Sequence, residues 1–177
     1  LGSVLVEGGF SDRTACVASS HFSTAERQYR NPIEYGSQRT PTSQWTVTGA
    51  GAFLYGDEGR VRIRMAMPGI VVEKGIFDAN NMGAAMAPAA IDTLVRFFKE
   101  SGTRPEDYDK IVTGDLGAEG SDILCELLLK EGYDIRDNHE DCGKLIYDRE
   151  AQDKHAGGSG CGCAATVTAA HLFPLLE

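Results

Sequence analysis

The sequence predicts a protein of the α/β class, and three observations support this class. A strand-like run, a glycine loop and an amphipathic helix follow one another at 109–132. Apolar, β-prone runs predict further strands at 12–21, 44–56 and 61–75, and apolar residues at helical spacing predict a helix over 88–101. Strands that alternate with helices in this way favour a layered α/β architecture.

Composition narrows the range of functions. The chain has 177 residues, and 42% of them are hydrophobic, which suits a domain with a substantial core. Its net charge of −9 argues against nucleic acid as a partner, because a phosphate backbone requires a basic face, whereas a small anion remains compatible. The five cysteines form an odd set, which favours free thiols over a disulfide framework. No apolar run reaches the roughly 20 residues that a membrane-spanning helix needs.

The first segment is predicted to contain a strand and a helix. The run 12–21 is largely apolar, so we expect a strand that is buried on both faces. Ser23 is followed three residues later by a glutamate, the spacing of a capping box, and Pro32 stops the helix that this box begins. Arg27 and Arg30 then lie on one side of that helix, because they are three residues apart.

Two strands are predicted next, at 44–56 and 61–75, joined by the turn sequence GDEG. In the second of them, Arg62 and Arg64 alternate with apolar neighbours. Since successive side chains of a strand point to opposite faces, this strand is expected to have one solvated face.

The pattern then changes to a helical one. Pro88 suits the first position of a helix, because a proline there loses no intrahelical hydrogen bond. The apolar residues Ile91, Leu94 and Phe98 recur at helical spacing up to Gly102. The sequence therefore predicts a helix that begins at Pro88 and ends before Gly102.

A strand, loop and helix follow in that order. The strand is predicted within 109–117, and the helix is predicted to begin at Ser121 as its cap and to stop at Gly132. Residues 134–154 are charged and are expected to be irregular.

The glycine-rich stretch DKHAGGSGCGCAA at 153–165 admits several interpretations. Zinc is one, with Cys161, Cys163, His155 and Cys142 as four ligands, but structural zinc sites use pairs of wider knuckles, so no metal is predicted. A redox pair is another, although C-x-C is a rarer spacing for it than C-x-x-C. The favoured interpretation is a glycine turn that leads into a small-residue helix, with both cysteines as small buried apolar groups.

His155 stands apart from the cysteines. It directly precedes the glycines that lead into the predicted helix, so its ring is expected beside a helix N-terminus, where anions bind favourably.

Four stretches of the chain, at 19–52, 80–94, 113–124 (TGDLGAEGSDIL) and 153–165, resemble the stage V sporulation protein AD family of endospore-forming bacteria. They keep their order and span nearly the whole chain. That family is similar to the thiolase and ketoacyl-synthase superfamily, and the resemblance therefore implies a thiolase-like layered αβαβα fold made of two related halves.

The resemblance also implies how the chain is divided. Residues 1–79 are expected to be the end of the N-terminal half, and 80–177 most of the C-terminal half. The chain is then an incomplete fragment, and the nucleophilic cysteine of the superfamily falls before Leu1.

Two superfamily positions are present to compare. After the predicted strand, relatives carry a histidine or asparagine that holds the thioester oxygen, where this chain has Gly114, Asp115 and Leu116. His155 matches the histidine of the thiolase G-H-P motif, although Ala156 replaces the proline. Because condensation needs an activated thiolate and a polarised oxyanion together, one retained histidine makes no catalytic set, and no catalytic residue is predicted.

What the resemblance implies about function is binding of dipicolinic acid (pyridine-2,6-dicarboxylate) and support of its uptake into the developing spore, with no cofactor. The expected partners are the membrane subunits of the uptake machinery, at the cytoplasmic face of the spore inner membrane, with a homodimer when the protein is full length. Arginine forks and backbone N–H groups suit carboxylates. The candidate ligand-binding residues are Arg27, Arg30, Arg39, His155, Gly157 and Gly158.

Two alternatives remain open. One is an acyltransferase that acts on a CoA or carrier-protein thioester, and this function requires a reactive cysteine outside the sequence. The other is a structural subunit that only recruits membrane partners and binds no small molecule.

Overall fold

The computed structural model describes residues 1–23 and 39–176. Helices and strands are mixed along these residues, which confirms the α/β class, while the layered thiolase-like arrangement stays a prediction. The helix predicted from Ser23 to Pro32, with Arg27 and Arg30, falls on residues outside those described. The regular elements are α1 (Gly2–Glu7), β1 (Thr14–Ser20), β2 (Trp45–Thr46), β3 (Gly49–Tyr55), α2 (Met82–Ser101), β4 (Ile111–Thr113), α3 (Gly117–Lys130), β5 (His139–Asp141), α4 (Cys142–Leu145), β6 (Gly158–Ser159), α5 (Cys161–Val167) and α6 (Phe173–Leu176).

Strands β1 and β3 form an antiparallel pair in which Val17 lies opposite Ala52. The prediction that β1 is buried on both faces is wrong, because its side chains alternate in exposure and Val17 is 70% exposed. Helix α5 packs on this pair, and a glycine permits the close approach. A Cβ atom at Gly51 would lie 2.6 Å from the carbonyl oxygen of Ala165 in α5.

The strand predicted at 61–75 is absent, and this prediction is wrong. The segment carries no regular secondary structure. Arg62 and Arg64 are exposed, and so are Ile63 and Met65 between and beside them, at 51% and 49%. The alternation of charged and apolar residues therefore does not divide this segment into a buried and a solvated face. A strand needs a hydrogen-bonded neighbour, and β3 has only β1 as its partner among the described residues.

Helix α2 begins six residues earlier than predicted. Asn81 caps it, since the side-chain oxygen accepts a hydrogen bond from Ala84 N at 3.1 Å. Pro88 lies inside the helix and not at its first position, so that prediction is wrong. The predicted end is confirmed, because Gly102 follows the last helical residue with a left-handed φ of 67°.

Helix α3 also begins before its predicted start. Ser121 is not its cap, because this residue lies inside the helix and is only 1% exposed. The start of the helix is closed instead by a distant part of the chain, since Ala118 N donates to the carbonyl oxygen of Ala156 at 2.8 Å. The predicted stop is confirmed, because Gly132 has a φ of 89° directly beyond the helix.

Residues 134–154 are more ordered than predicted. Strand β5 pairs in parallel with β4, with Ile111 opposite His139, and α4 follows directly. The prediction of irregular structure is therefore wrong for residues 139–145. The helices α2 and α3 pack against this strand pair around a buried apolar cluster of Phe98, Ile111, Leu116, Leu124, Leu128 and Ile135.

A second, smaller apolar cluster brings together three segments that are far apart in the sequence. Strand β2 pairs in parallel with β6, with Trp45 opposite Gly158. The cluster beneath this pair consists of Val47, Cys142, Cys163 and Val167.

Candidate functional site

Two of the predicted ligand-binding residues, Arg39 and His155, meet at the same short segment of chain. The His155 ring donates from Nδ1 to the carbonyl oxygen of Thr40 at 2.7 Å. Arg39, the residue before that carbonyl, places its guanidinium carbon 2.9 Å from the centre of the Trp45 ring. Residues that are far apart in sequence therefore form one site, while Arg27 and Arg30 lie outside the described residues.

Trp45 is the centre of this site. Besides Arg39, the ammonium nitrogen of Lys154 lies 3.7 Å from the ring centre and 5.4 Å from the ring of Tyr147. We refer to Arg39, Trp45, Tyr147, Lys154 and His155 as the Trp45 cluster. Each contact between a cation and the face of an aromatic ring contributes about 0.5–2 kcal/mol, depending on how dry it is. The cluster thus sets two cations around an aromatic ring, which suits an aromatic anion, while the Asp153 carboxylate lies 3.2 Å from His155 Nε2.

The backbone on either side of Lys154 is strained. Asp153 and His155 both have a positive φ, 51° and 46°, a region that costs a residue with a side chain about 1–2 kcal/mol. Backbone hydrogen bonds hold this turn, from Lys154 N to Arg149 O at 2.9 Å and from Ala156 N to Ser43 O at 3.2 Å. The strained turn fixes the positions from which Lys154 and His155 project.

The glycines that follow serve close packing. The N–H of Gly157 donates to the carbonyl oxygen of Lys154 at 2.7 Å, so this donor is already used within the chain. A Cβ atom at Gly158 would lie 2.8 Å from the Ile146 side chain and 2.9 Å from that of Val47. The ligand-binding roles of Gly157 and Gly158 stay predictions that this geometry does not favour.

Asp115 links the loop after β4 to this glycine turn. Its carboxylate accepts a hydrogen bond from Gly160 N at 2.8 Å, and its carbonyl oxygen accepts one from Gln44 Nε2 at 3.0 Å. The two loops that the superfamily comparison singled out, 114–116 and 155–160, are therefore in direct contact.

The cysteines of the glycine stretch differ from each other. Cys163 is buried, as predicted, and burial raises the pKa of its thiol to about 12. Cys161 is exposed, so the prediction that both are buried is wrong, and its thiol donates to the carbonyl oxygen of Ser19 at 2.9 Å. Burial likewise raises the pKa of Cys142 to about 11. No group of three or more potential metal ligands is gathered anywhere in residues 1–23 and 39–176.

Asp141 organises the loop after β4, and sequence reasoning missed it. This residue is 1% exposed, and its carboxylate accepts hydrogen bonds from the N–H groups of Leu116, Gly117 and Gly143 at 2.8–2.9 Å. It also accepts one from the hydroxyl of Thr113 at 2.7 Å. A single buried carboxylate thus holds the start of α3 and the start of α4 together.

A chain of hydrogen bonds leads from Asp141 to a thiol. Because the Thr113 hydroxyl donates to the carboxylate, it accepts from His139 Nε2, 2.9 Å away. His139 Nδ1 is then free to accept from the thiol of Cys125 at 3.8 Å. Burial lowers the pKa of His139 and raises that of Cys125, so both groups are held neutral.

Sequence reasoning also missed Trp45 and Lys154. Trp45 is the only tryptophan of the chain, and Lys154 is the neighbour of the predicted His155. A single tryptophan beside a strand gave no functional signal, since large aromatic residues usually stabilise cores.

Within the described residues, no helix combines the length and the apolar character that crossing a membrane requires.

Comparisons with known proteins identify relatives over the whole chain. The model of the family "Stage V sporulation protein AD (SpoVAD)" matches residues 1–177. A curated protein named stage V sporulation protein AD, from Bacillus subtilis (strain 168), is 47% identical over 178 residues, which cover 100% of this chain and 52% of that relative. The chain therefore spans about half the length of the curated relative it matches.

Proposed function

This chain belongs to the stage V sporulation protein AD family, and on that premise we propose that it binds dipicolinic acid and supports its uptake into the developing spore. One observation carries the proposal. Arg39 and His155, both predicted as ligand-binding residues, lie together in the Trp45 cluster.

The chemistry of the cluster suits this ligand. Dipicolinate is a flat aromatic ring with two carboxylates, so its site needs cationic donors and a flat apolar surface. Arg39 offers a planar fork that can pair with a carboxylate through two hydrogen bonds, and Lys154 offers a second cation. Trp45 offers a flat aromatic ring of matching shape, and both cations stand over it.

The proposal includes a thiolase-like scaffold without condensing activity. Among the described thiols, Cys142 and Cys163 are protonated at neutral pH because burial raises the pKa of each. A thiol nucleophile needs the thiolate form, so this environment supports a binding role over nucleophilic catalysis by these two residues. Peripheral attachment at the spore inner membrane, contact with its membrane subunits, and a homodimer of the full-length protein complete the proposal, on the basis of the family resemblance.

Calorimetric titration of the full-length protein with dipicolinate tests the proposal. Arg39→Ala and His155→Ala should each weaken binding by about tenfold to a hundredfold, because one charge-assisted contact contributes roughly 1.5–3 kcal/mol. Arg39→Lys should recover only part of the loss, since an ammonium cannot make a two-point contact. Arg27→Ala and Arg30→Ala extend the test to the predicted helix outside the described residues.

The matched controls are Arg136→Ala and His21→Ala. Arg136 is exposed and pairs with its neighbour Asp134, and His21 is also exposed. Neither control should change the affinity. No heat of binding to the wild-type protein would refute the proposal, and unchanged affinity in the Arg39 and His155 variants would place the ligand elsewhere. A thioester-turnover assay on the same preparation should give no product, whereas turnover would favour the acyltransferase alternative.

A further inference from the structure

Backbone hydrogen bonds hold the main chain at Trp45. Its backbone N–H donates to the carbonyl oxygen of Gly157 at 2.9 Å, and two residues later Val47 N donates to Ser159 O at 2.9 Å. These bonds belong to the parallel pair of β2 and β6. The position from which the ring projects is therefore fixed by strand pairing and does not depend on the cations around the ring.

Arg39 and Lys154 both stand over the Trp45 ring. Their charged groups lie 2.9 Å and 3.7 Å from the ring centre. At such distances each group contacts the face of the indole and not its edge. The surface of the ring is therefore covered by these two cations.

The two cations differ in how readily they can be exchanged. A lysine ammonium is a strongly hydrated point charge on a flexible stem, whereas a guanidinium is planar and stacks on aromatic faces. Lys154 also faces the ring of Tyr147, 5.4 Å from its ammonium nitrogen. When Lys154 withdraws, it leaves the Trp45 face open on the side of Tyr147 and remains close enough to pair with whatever takes its place.

The indole nitrogen is an unpaired donor at the edge of the ring. Trp45 Nε1 is fully buried and has no hydrogen-bond partner among residues 1–23 and 39–176. Buried polar groups are almost always hydrogen-bonded. Because the indole N–H lies in the plane of the ring, an acceptor for it belongs at the ring edge and not on the stacking face.

We propose that Trp45 is the surface on which the aromatic ring of the ligand stacks and that Lys154, displaced from that surface, binds its carboxylate. This inference rests on the proposed function and adds the basis of its selectivity. The site should then select flat aromatic carboxylates and reject flexible aliphatic ones. A saturated chain has no flat face to exchange for the lysine, although it carries the same charges.

Titration of the full-length protein with three probes tests this selectivity. Dipicolinate and benzene-1,3-dicarboxylate share a flat ring with two carboxylates, whereas glutarate carries two carboxylates on a saturated chain. The wild-type protein should bind both aromatic probes at least about tenfold more tightly than glutarate, the ratio that the loss of one ring-stacking contact produces. Trp45→Leu should remove this preference, and Trp45→Phe should restore most of it because a flat ring returns.

Variants of Lys154 test the second part of the proposal. Lys154→Met keeps the apolar stem and removes the charge, so it should weaken both aromatic probes about tenfold or more and reduce the salt dependence of their binding. Lys130→Met, at an exposed lysine of α3 outside the cluster, is the matched control and should change neither. Circular dichroism melts of all variants establish that each remains folded.

The outcomes separate this inference from the proposed function. If dipicolinate binds equally well to the wild type, Trp45→Leu and Lys154→Met, the stacking surface is refuted and the proposed function stands. If the wild type binds benzene-1,3-dicarboxylate but not dipicolinate, and Trp45→Leu loses that binding, the proposed function fails and the stacking surface stands. Both are wrong if neither aromatic probe binds, and equal affinity for glutarate refutes the selectivity.

Discussion

The unit of α2, β4, α3 and β5 and the pair of β1 and β3 place their apolar residues in opposite environments. In the first, Leu124, Leu128 and Ile135 are 0% exposed. In the second, Val17 and Leu54 are 70% and 72% exposed and lie on one face of the pair. The first unit covers its strands with helices that are their neighbours in sequence, whereas α5 covers only one face of the second.

The two regions also differ in how their layers are joined. In the first, the buried carboxylate of Asp141 accepts four hydrogen bonds and ties two helix starts to β4. In the second, the layers meet through direct backbone approach, because a Cβ atom at Gly162 of α5 would lie 2.5 Å from the carbonyl oxygen of Gly49 in β3. The comparison teaches that the stability of the first region depends on a few buried groups, while exposed residues of the second contribute little.

Asp141→Ala should give the largest effect. It leaves three buried N–H groups without an acceptor, so the free energy of unfolding should fall by about 3–5 kcal/mol. Denaturant unfolding followed by circular dichroism measures the change. The matched control, Asp137→Ala, removes an exposed carboxylate and should stay within about 0.5 kcal/mol of the wild type. If the unfolding free energies of the two variants differ by less than about 1 kcal/mol, Asp141 does not organise these helix starts.

A pair of leucine variants compares the two regions directly. Leu124→Ala should lower the free energy of unfolding by about 2–5 kcal/mol, because it opens a cavity in the buried cluster. Leu54→Ala should change it by less than about 0.5 kcal/mol, since that side chain is 72% exposed. The same unfolding experiment measures both. A large loss in Leu54→Ala would mean that this face of the pair is covered in solution.

Lowering the pH should have the smallest effect on the free energy of unfolding. Burial lowers the pKa of His139, so below pH 6.5, its ordinary value, the unfolded chain takes up a proton that the folded chain resists. The free energy of unfolding should therefore decrease as the pH falls from about 7 to 5, by at most about 1.4 kcal/mol per pH unit from this group. The charges that act on it are Asp141 and Glu140, which favour protonation, and Lys144, which opposes it.

His139→Gln isolates this contribution. The unfolding free energy of the wild type, minus that of the variant, should decrease as the pH falls, because the variant has no imidazole to protonate. His21→Gln, at an exposed histidine, is the matched control for replacing an imidazole by an amide. Parallel profiles for the wild type and His139→Gln would show that His139 is not linked to folding.

The sequence predicted correctly those features of the fold that depend on residues close together in the chain. The ends of α2 and α3 were correct, because Gly102 and Gly132 take left-handed conformations that a glycine adopts with little strain. Their starts were wrong, because Asn81 begins α2 ahead of Pro88, and Ala156, a residue far along the chain, supplies the acceptor that closes α3.

The candidate site shows the same limit. Arg39 and His155 were predicted from residue type and motif position, and the sequence had no means to indicate that they meet. Trp45 and Lys154 were missed, because a cation on an aromatic face depends on a tertiary contact and leaves no periodic pattern in the sequence.

By itself, the sequence determined the family, the α/β class, β1, β3, β4 and the helix ends, because these follow from motif order, apolar periodicity and local backbone preference. Only the tertiary structure decided that 61–75 is not a strand, that Asp141 organises two helix starts, and that two cations cover the Trp45 ring. The physical reason is that strand pairing, burial of a carboxylate and stacking on a ring each require a partner from a distant part of the chain, and only folding places that partner.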